Sequence, residues 1–97
     1  MTDFQLSRFD AADHLKSPED IAAYLDAALE EAGEDPGFFA HALGVVARAQ
    51  NMSKLSRDTG ISRQGLVKAL AEDGNPSFGT VLKVTKALGL KLVTEAA

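Results

Sequence analysis

Cysteine is absent from the 97 residues, which excludes a disulfide framework and every thiolate metal site. Long apolar runs are missing as well. Nothing approaches the ~18 consecutive apolar residues that would suggest a membrane span, and the N-terminus lacks the basic-then-apolar pattern of a secretory signal. Histidine is scarce: His14 and His41 stand in different elements, with no third ligand at metal spacing. His14 therefore reads as a polar loop residue and His41 as a helix-surface residue. No P-loop or dinucleotide fingerprint occurs. Asp13-His14 and the scattered serines make no triad, because nothing sets a nucleophile on a turn with a base behind it. These absences predict a protein that is not an enzyme, takes no metal or cofactor, and does not enter a membrane. The composition, 45% hydrophobic and 25% charged, is that of an ordinary globular protein. The expectation is a single soluble, cytoplasmic domain over residues 1–97.

Positive charge is sparse in the first half of the chain. Met1 to Ala47 holds two bases against ten acids, a net −8. Arg48 to Lys91 holds eight bases against three acids, a net +5, and the whole chain carries −4. Such a split suggests two faces with different partners, one of them polyanionic and the other basic. The alternative is a set of solvated helix faces that differ in sign.

Helix signals dominate the rest. Met1 to Lys16 has no clean period in Phe4, Leu6 and Phe9 and reads as an N-terminal arm, extended or a short strand. Ser17-Pro18-Glu19-Asp20 is a sharp helix start. Ile21, Leu25, Ala28, Leu29 and Ala32 then form one apolar stripe, with Asp26, Glu30 and Glu31 on the other side. Gly33 is a natural C-cap. Asp35-Pro36 opens a second helix that is apolar nearly all round, apart from a strip of His41, Gly44 and Arg48, so it belongs at the centre of the core. Gly44 costs ~1 kcal/mol against alanine there, which points to a close helix crossing. A short helix over roughly Ser53 to Thr59 and another from Arg63 to about Ala71 follow. After the turn cluster Asp73-Gly74-Asn75-Pro76, Ser77 caps a last helix to Leu88. Its expected inward set is Phe78, Val81, Leu82, Thr85 and Leu88, with Lys83 and Lys86 outward. Leu90 to Thr94 reads as a short strand or an extended tail.

The stretch MSKLSRDTGISRQGLVKAL, Met52 to Leu70, has helix-turn-helix spacing. Ser56 is small where the two helices meet, Gly60 serves the turn, and Ile61 and Leu66 pin the second helix. Leu55, Ala69 and Leu70 complete the apolar contact, and Ser62 caps the second helix. With Leu66 set inward and about 100° per residue, Gln64 and Lys68 point away, Val67 and Ala71 lie beside them, and Arg63 flanks the helix start. Glutamine can read adenine, arginine guanine, and Val67 can pack on a thymine methyl. Arg63 or Lys68 can equally hold a phosphate. Ser53, Lys54, Asn75, Ser77 and Thr80, near helix N-termini, are candidates for further phosphate contacts. Set against this is an ordinary αα-hairpin with a polar outer face.

The order SPEDIAAYLDAALEEAGEDPGFFAHALGVVARAQNMSKLSRDTGISRQGLVKALAEDGNPSFGTVLKVTKALGLKL resembles the addiction-module antidote proteins of the helix-turn-helix class, the HigA-like or Xre-type antitoxins. The similarity runs from Phe9–Leu15 (FDAADHL) to Leu92. Its most telling pieces are Tyr24-Leu25, Ala42-Leu43-Gly44 with Ala47-Arg48-Ala49, Gly74-Asn75-Pro76-Ser77-Phe78, and Lys86-Ala87-Leu88-Gly89-Leu90. The resemblance implies an all-α, five-helix, lambda-repressor-like domain, with the arm at 1–16, the helix-turn-helix at 52–71 and a short extended C-terminal tail. It implies an antitoxin that neutralises a basic RelE/HigB-like toxin and, as a homodimer, represses its operon by binding double-stranded operator DNA. Ser62, Arg63, Gln64 and Lys68 carry over as DNA-reading residues, while Gly65 stands where the family often has a longer side chain. Asp26, Glu30 and Glu31 become candidates for the toxin surface, the alternative being that they only keep the face soluble. A protein-interaction module with a vestigial helix-turn-helix and a stand-alone transcriptional regulator are the competing readings.

Overall fold

The computed structural model describes residues 15–71 and 73–97. The arm expected over 1–16, with Phe4, Leu6, Phe9 and His14, lies outside them apart from its last two residues. Among the described residues the chain is all-helical: α1 (Pro18–Ala32), α2 (Pro36–Ala49), α3 (Met52–Thr59), α4 (Arg63–Ala69) and α5 (Phe78–Ala87), with no strand. Leu90 to Thr94 is without regular secondary structure, so of the two expectations the strand does not form. No helix among the described residues is long and apolar enough to cross a membrane.

Each helix begins where a short polar side chain takes a free backbone N–H. Ser17 Oγ accepts from the Asp20 amide at 3.1 Å and Asp35 Oδ1 from the Gly37 amide at 3.0 Å. Asn51 Oδ1 accepts from the Lys54 amide at 3.0 Å. Ser62 Oγ accepts from the Gly65 amide at 3.0 Å and Ser77 Oγ from the Thr80 amide at 3.1 Å. Pro18 and Pro36 occupy first helical positions, where a missing N–H costs nothing. Asn51 as cap moves the start of α3 back to Met52, which puts Ser53 and Lys54 inside its first turn. At the other end, α4 stops at Ala69, with Leu70 as its C-cap, short of the expected Ala71.

α1 packs on α2, and α3 packs on α2, α4 and α5. The core gathers Ile21 and Leu25 of α1, Leu43, Val46 and Ala47 of α2, Leu55 of α3, Leu66 and Leu70 from the α4 segment, and Val84 and Leu88 from the α5 segment. Gly44 is the close-approach point in α2. A Cβ there would collide with the backbone carbonyl of Leu70, so the missing side chain lets α2 meet the end of α4. Leu15, just ahead of α1, is also buried, and its carbonyl accepts a 2.6 Å hydrogen bond from Gln50 Nε2. That bond ties the entry of α1 to the end of α2.

The last helix differs from the expected inward set. α5 buries Val84, Thr85 and Leu88 and half-buries Val81, while Leu82 and Phe78 are exposed, Phe78 at 69%. The buried stripe is therefore 81, 84, 85 and 88, the i, i+3, i+4, i+7 pattern of one helix face. Leu82 is about 100° off that stripe. Phe78 is in phase with it but stands at the first helical position, at the end of the packed face. The buried Thr85 hydroxyl is satisfied within the helix, donating to the carbonyls of Val81 at 2.9 Å and Leu82 at 3.1 Å. Among the described residues no buried side-chain polar atom lacks a partner.

Candidate functional site

α3 and α4 are joined by Gly60, Ile61 and Ser62, and side chains of α3 hold both polar groups of Ile61. Ser56 Oγ donates to the Ile61 carbonyl at 2.6 Å, and the Ile61 amide donates to Thr59 Oγ1 at 3.2 Å. Thr59 Oγ1 in turn donates to the Leu55 carbonyl at 2.8 Å. Gly60 adopts φ +75°, the left-handed conformation that ends α3, and its amide donates to the Ser56 carbonyl at 2.9 Å. Ser56 is small, as the junction requires, and it also clamps the turn. The spacing showed its size, while its hydrogen bond depends on how the chain folds back.

The turn and the core together aim α4. Leu66 is fully buried and Leu70 nearly so, which fixes the rotation of the helix about its axis. Ser62, Arg63, Gln64, Val67 and Lys68 are all exposed as a consequence. Val67 is a branched apolar side chain 53% exposed in the middle of that face. Gly65 is half-buried, and a Cβ on it would press at 3.1 Å on both Ile61 Cγ2 and the capping Ser62 Oγ. The glycine thus leaves room for the cap and the turn residue, at the cost of a side chain on the outward face.

The remaining predicted contacts divide into two places. Asn75 lines an open cleft beside α4 together with Gly65, Lys68, Asp73 and Gly74. Ser77 and Thr80 follow at the start of α5, where their hydroxyls bond each other at 3.0 Å and stay exposed or half-exposed. Lys54 lies elsewhere. It shares a cleft with Gln50, Asn51, Ala87 and Leu88, at the opposite end of α5. Thr80 and Ala87 are about 10 Å apart along that helix. Lys54 Nζ also pairs with Asp58 at 2.7 Å, one turn along α3. An exposed i,i+4 pair is worth only ~0.3–0.5 kcal/mol, so it yields readily to a stronger anion. Ser53 is exposed in the first turn of α3.

Asp26, Glu30 and Glu31 are exposed along α1, which also carries Glu19 and Asp20 and no base. Asp26 stands on the wall of a groove between α1 and the C-terminal tail. His41 is half-buried on α2, and among the described residues no cluster of three or more histidine or carboxylate groups is disposed to hold a metal ion.

Five capped helices with an exposed, mainly polar face on the fourth describe a small all-helical protein, and comparison with known proteins gives its family. A model of the probable addiction module antidote proteins matches residues 5–96, and the chain belongs to that family. Over 87 residues it is 53% identical to a Haemophilus influenzae protein described as uncharacterized, covering 90% of this chain and 88% of the relative. No solved structure matches. An antidote implies a toxin partner.

Proposed function

We propose that the chain is a sequence-specific DNA-binding antitoxin of a lambda-repressor-like fold, neutralising a basic RelE/HigB-like toxin and repressing its own operon. It works by binding, without catalysis, in the cytoplasm. The observation that carries this reading is the outward face of α4. Arg63, Gln64, Val67 and Lys68 are exposed there, while Leu66 and Leu70 lock the helix to the core. That set offers a bidentate reader of adenine, two cations for guanine or phosphate, and an apolar contact for a thymine methyl. Ser62 brings the helix N-terminus to the same edge, and Asn75 beside Lys68 extends it toward Ser77 and Thr80. Operators read by such a helix are two-fold symmetric, so the active form is a homodimer.

Fluorescence anisotropy with the DNA upstream of the chain's own coding sequence, and a scrambled control, tests this at two salt concentrations. The expected result is tight binding to the first DNA only, weakening with salt as counterions are released. Gln64→Ala is expected to lose the preference by ~1–3 kcal/mol. Lys68→Ala is expected to lower the salt slope by about one if it holds a phosphate. Equal, weak binding to both DNAs would refute the repressor role. It would select a second reading, an interaction module, which draws on the seven-residue length of α4 and the glycine in its first turns.

A further inference from the structure

Resting on the antitoxin reading, we infer that the groove between α1 and the C-terminal tail is the toxin-docking surface, and that it takes an apolar toxin segment flanked by lysine or arginine. The groove encloses about 410 Å³ over a floor of Leu25, Phe39 and Thr85. One wall is α1, through Ala22, Asp26 and Leu29; the other is the tail, through Leu90, Leu92 and Val93. The side chains that α1 and the tail turn into it are open to solvent, with Leu29 51% and Val93 70% exposed. This is why Leu29, in phase with the core stripe of α1, is left uncovered.

The placement of polar groups selects a protein over a small molecule. Small-molecule pockets set a few polar groups inside an enclosed apolar cavity. Here Asp26, Lys91 and Glu95 are all exposed at the rim of an open groove, the arrangement of an apolar interface centre with a polar border. The sign of the charge selects the partner. α1 bears five acids and no base, Asp26 stands on the groove's wall, and Glu30 follows one turn along the same helix. A nucleic acid is repelled by that surface, while a basic segment is both steered to it and paired by it. The groove faces this partner through α1 and the tail, and α4, the proposed DNA-reading helix, contributes nothing to its lining.

The test titrates the purified toxin product of the adjacent reading frame into the full-length chain. Leu29→Ser and Val93→Ser remove exposed side chains and so leave the core intact. Each is expected to weaken toxin binding about tenfold or more, with the circular-dichroism melt unchanged. Asp26→Lys is expected to slow association and flatten its salt dependence. If the wild-type chain binds the toxin and Leu29→Ser binds it within twofold, the groove assignment is overturned while the antitoxin reading stands. If the wild-type chain does not bind at all, both fall. If Leu29→Ser converts a sedimenting dimer to a monomer and leaves toxin affinity unchanged, the groove belongs to a second copy and the inference is overturned.

Discussion

Gly44 sits inside a helix that alanine would favour by about 1 kcal/mol, yet its missing Cβ is what admits the Leu70 carbonyl. A backbone oxygen cannot rotate away as a side chain can, so overpacking outweighs propensity. Gly44→Ala is expected to destabilise the fold by ~1–3 kcal/mol, read as a lower urea midpoint; a higher midpoint would contradict the crossing. Gly60 presents the opposite case, with nothing within 4 Å of a built Cβ but a φ of +75°. Its substitution penalty is conformational alone. Gly60→Ala is expected to cost ~1–2 kcal/mol and Gly60→Asn distinctly less, because asparagine enters the left-handed region more easily. Equal thermal shifts for the two variants would show that the turn has another origin.

Among the elements, α4 depends most on its neighbours. Seven residues are too few for an isolated helix, since helices shorter than ~12–15 residues are marginal in water. Its order comes from the Ser62 cap, the Ser56 and Thr59 bonds to the turn, and the burial of Leu66. Ser62→Ala is expected to cost ~1 kcal/mol. The loss should appear first as faster hydrogen exchange at the Gly65 and Leu66 amides, and uniform exchange changes over all helices would argue against a local role. Leu66→Ala is expected to cost ~2–5 kcal/mol, because the side chain is fully buried in the shared core and its truncation leaves a cavity. Caps and prolines made the starts of α1, α2, α4 and α5 legible in the sequence, since a cap is a local interaction. The inward face of α5 was not, because Phe78 and Leu82 are as apolar as Val84 and only the neighbouring helices decide which are covered.

For the whole molecule, two surfaces stand apart: the α4 face, with exposed Arg63 and Lys68, and the α1–tail groove, with Asp26 on its wall. If they act independently, the pair Gln64→Ala and Lys68→Ala abolishes operator discrimination while the chain still relieves toxin-induced growth arrest. Loss of both functions together would show that DNA and toxin share a surface. The sequence by itself determined the helical class, the starts of α1, α2, α4 and α5, the turn between α3 and α4, the outward residues of α4 and the acidic face of α1. All of these follow from periodicity, capping and charge within a few residues. Only the tertiary structure decided that Lys54 stands at the opposite end of α5 from Thr80, and that Ser56 clamps the turn. It alone decided that Gln50 anchors Leu15 and that the tail runs beside α1 to leave a groove. These are contacts between parts of the chain brought together by burial of a shared core, and no local pattern encodes which exposed side chains end up facing one another.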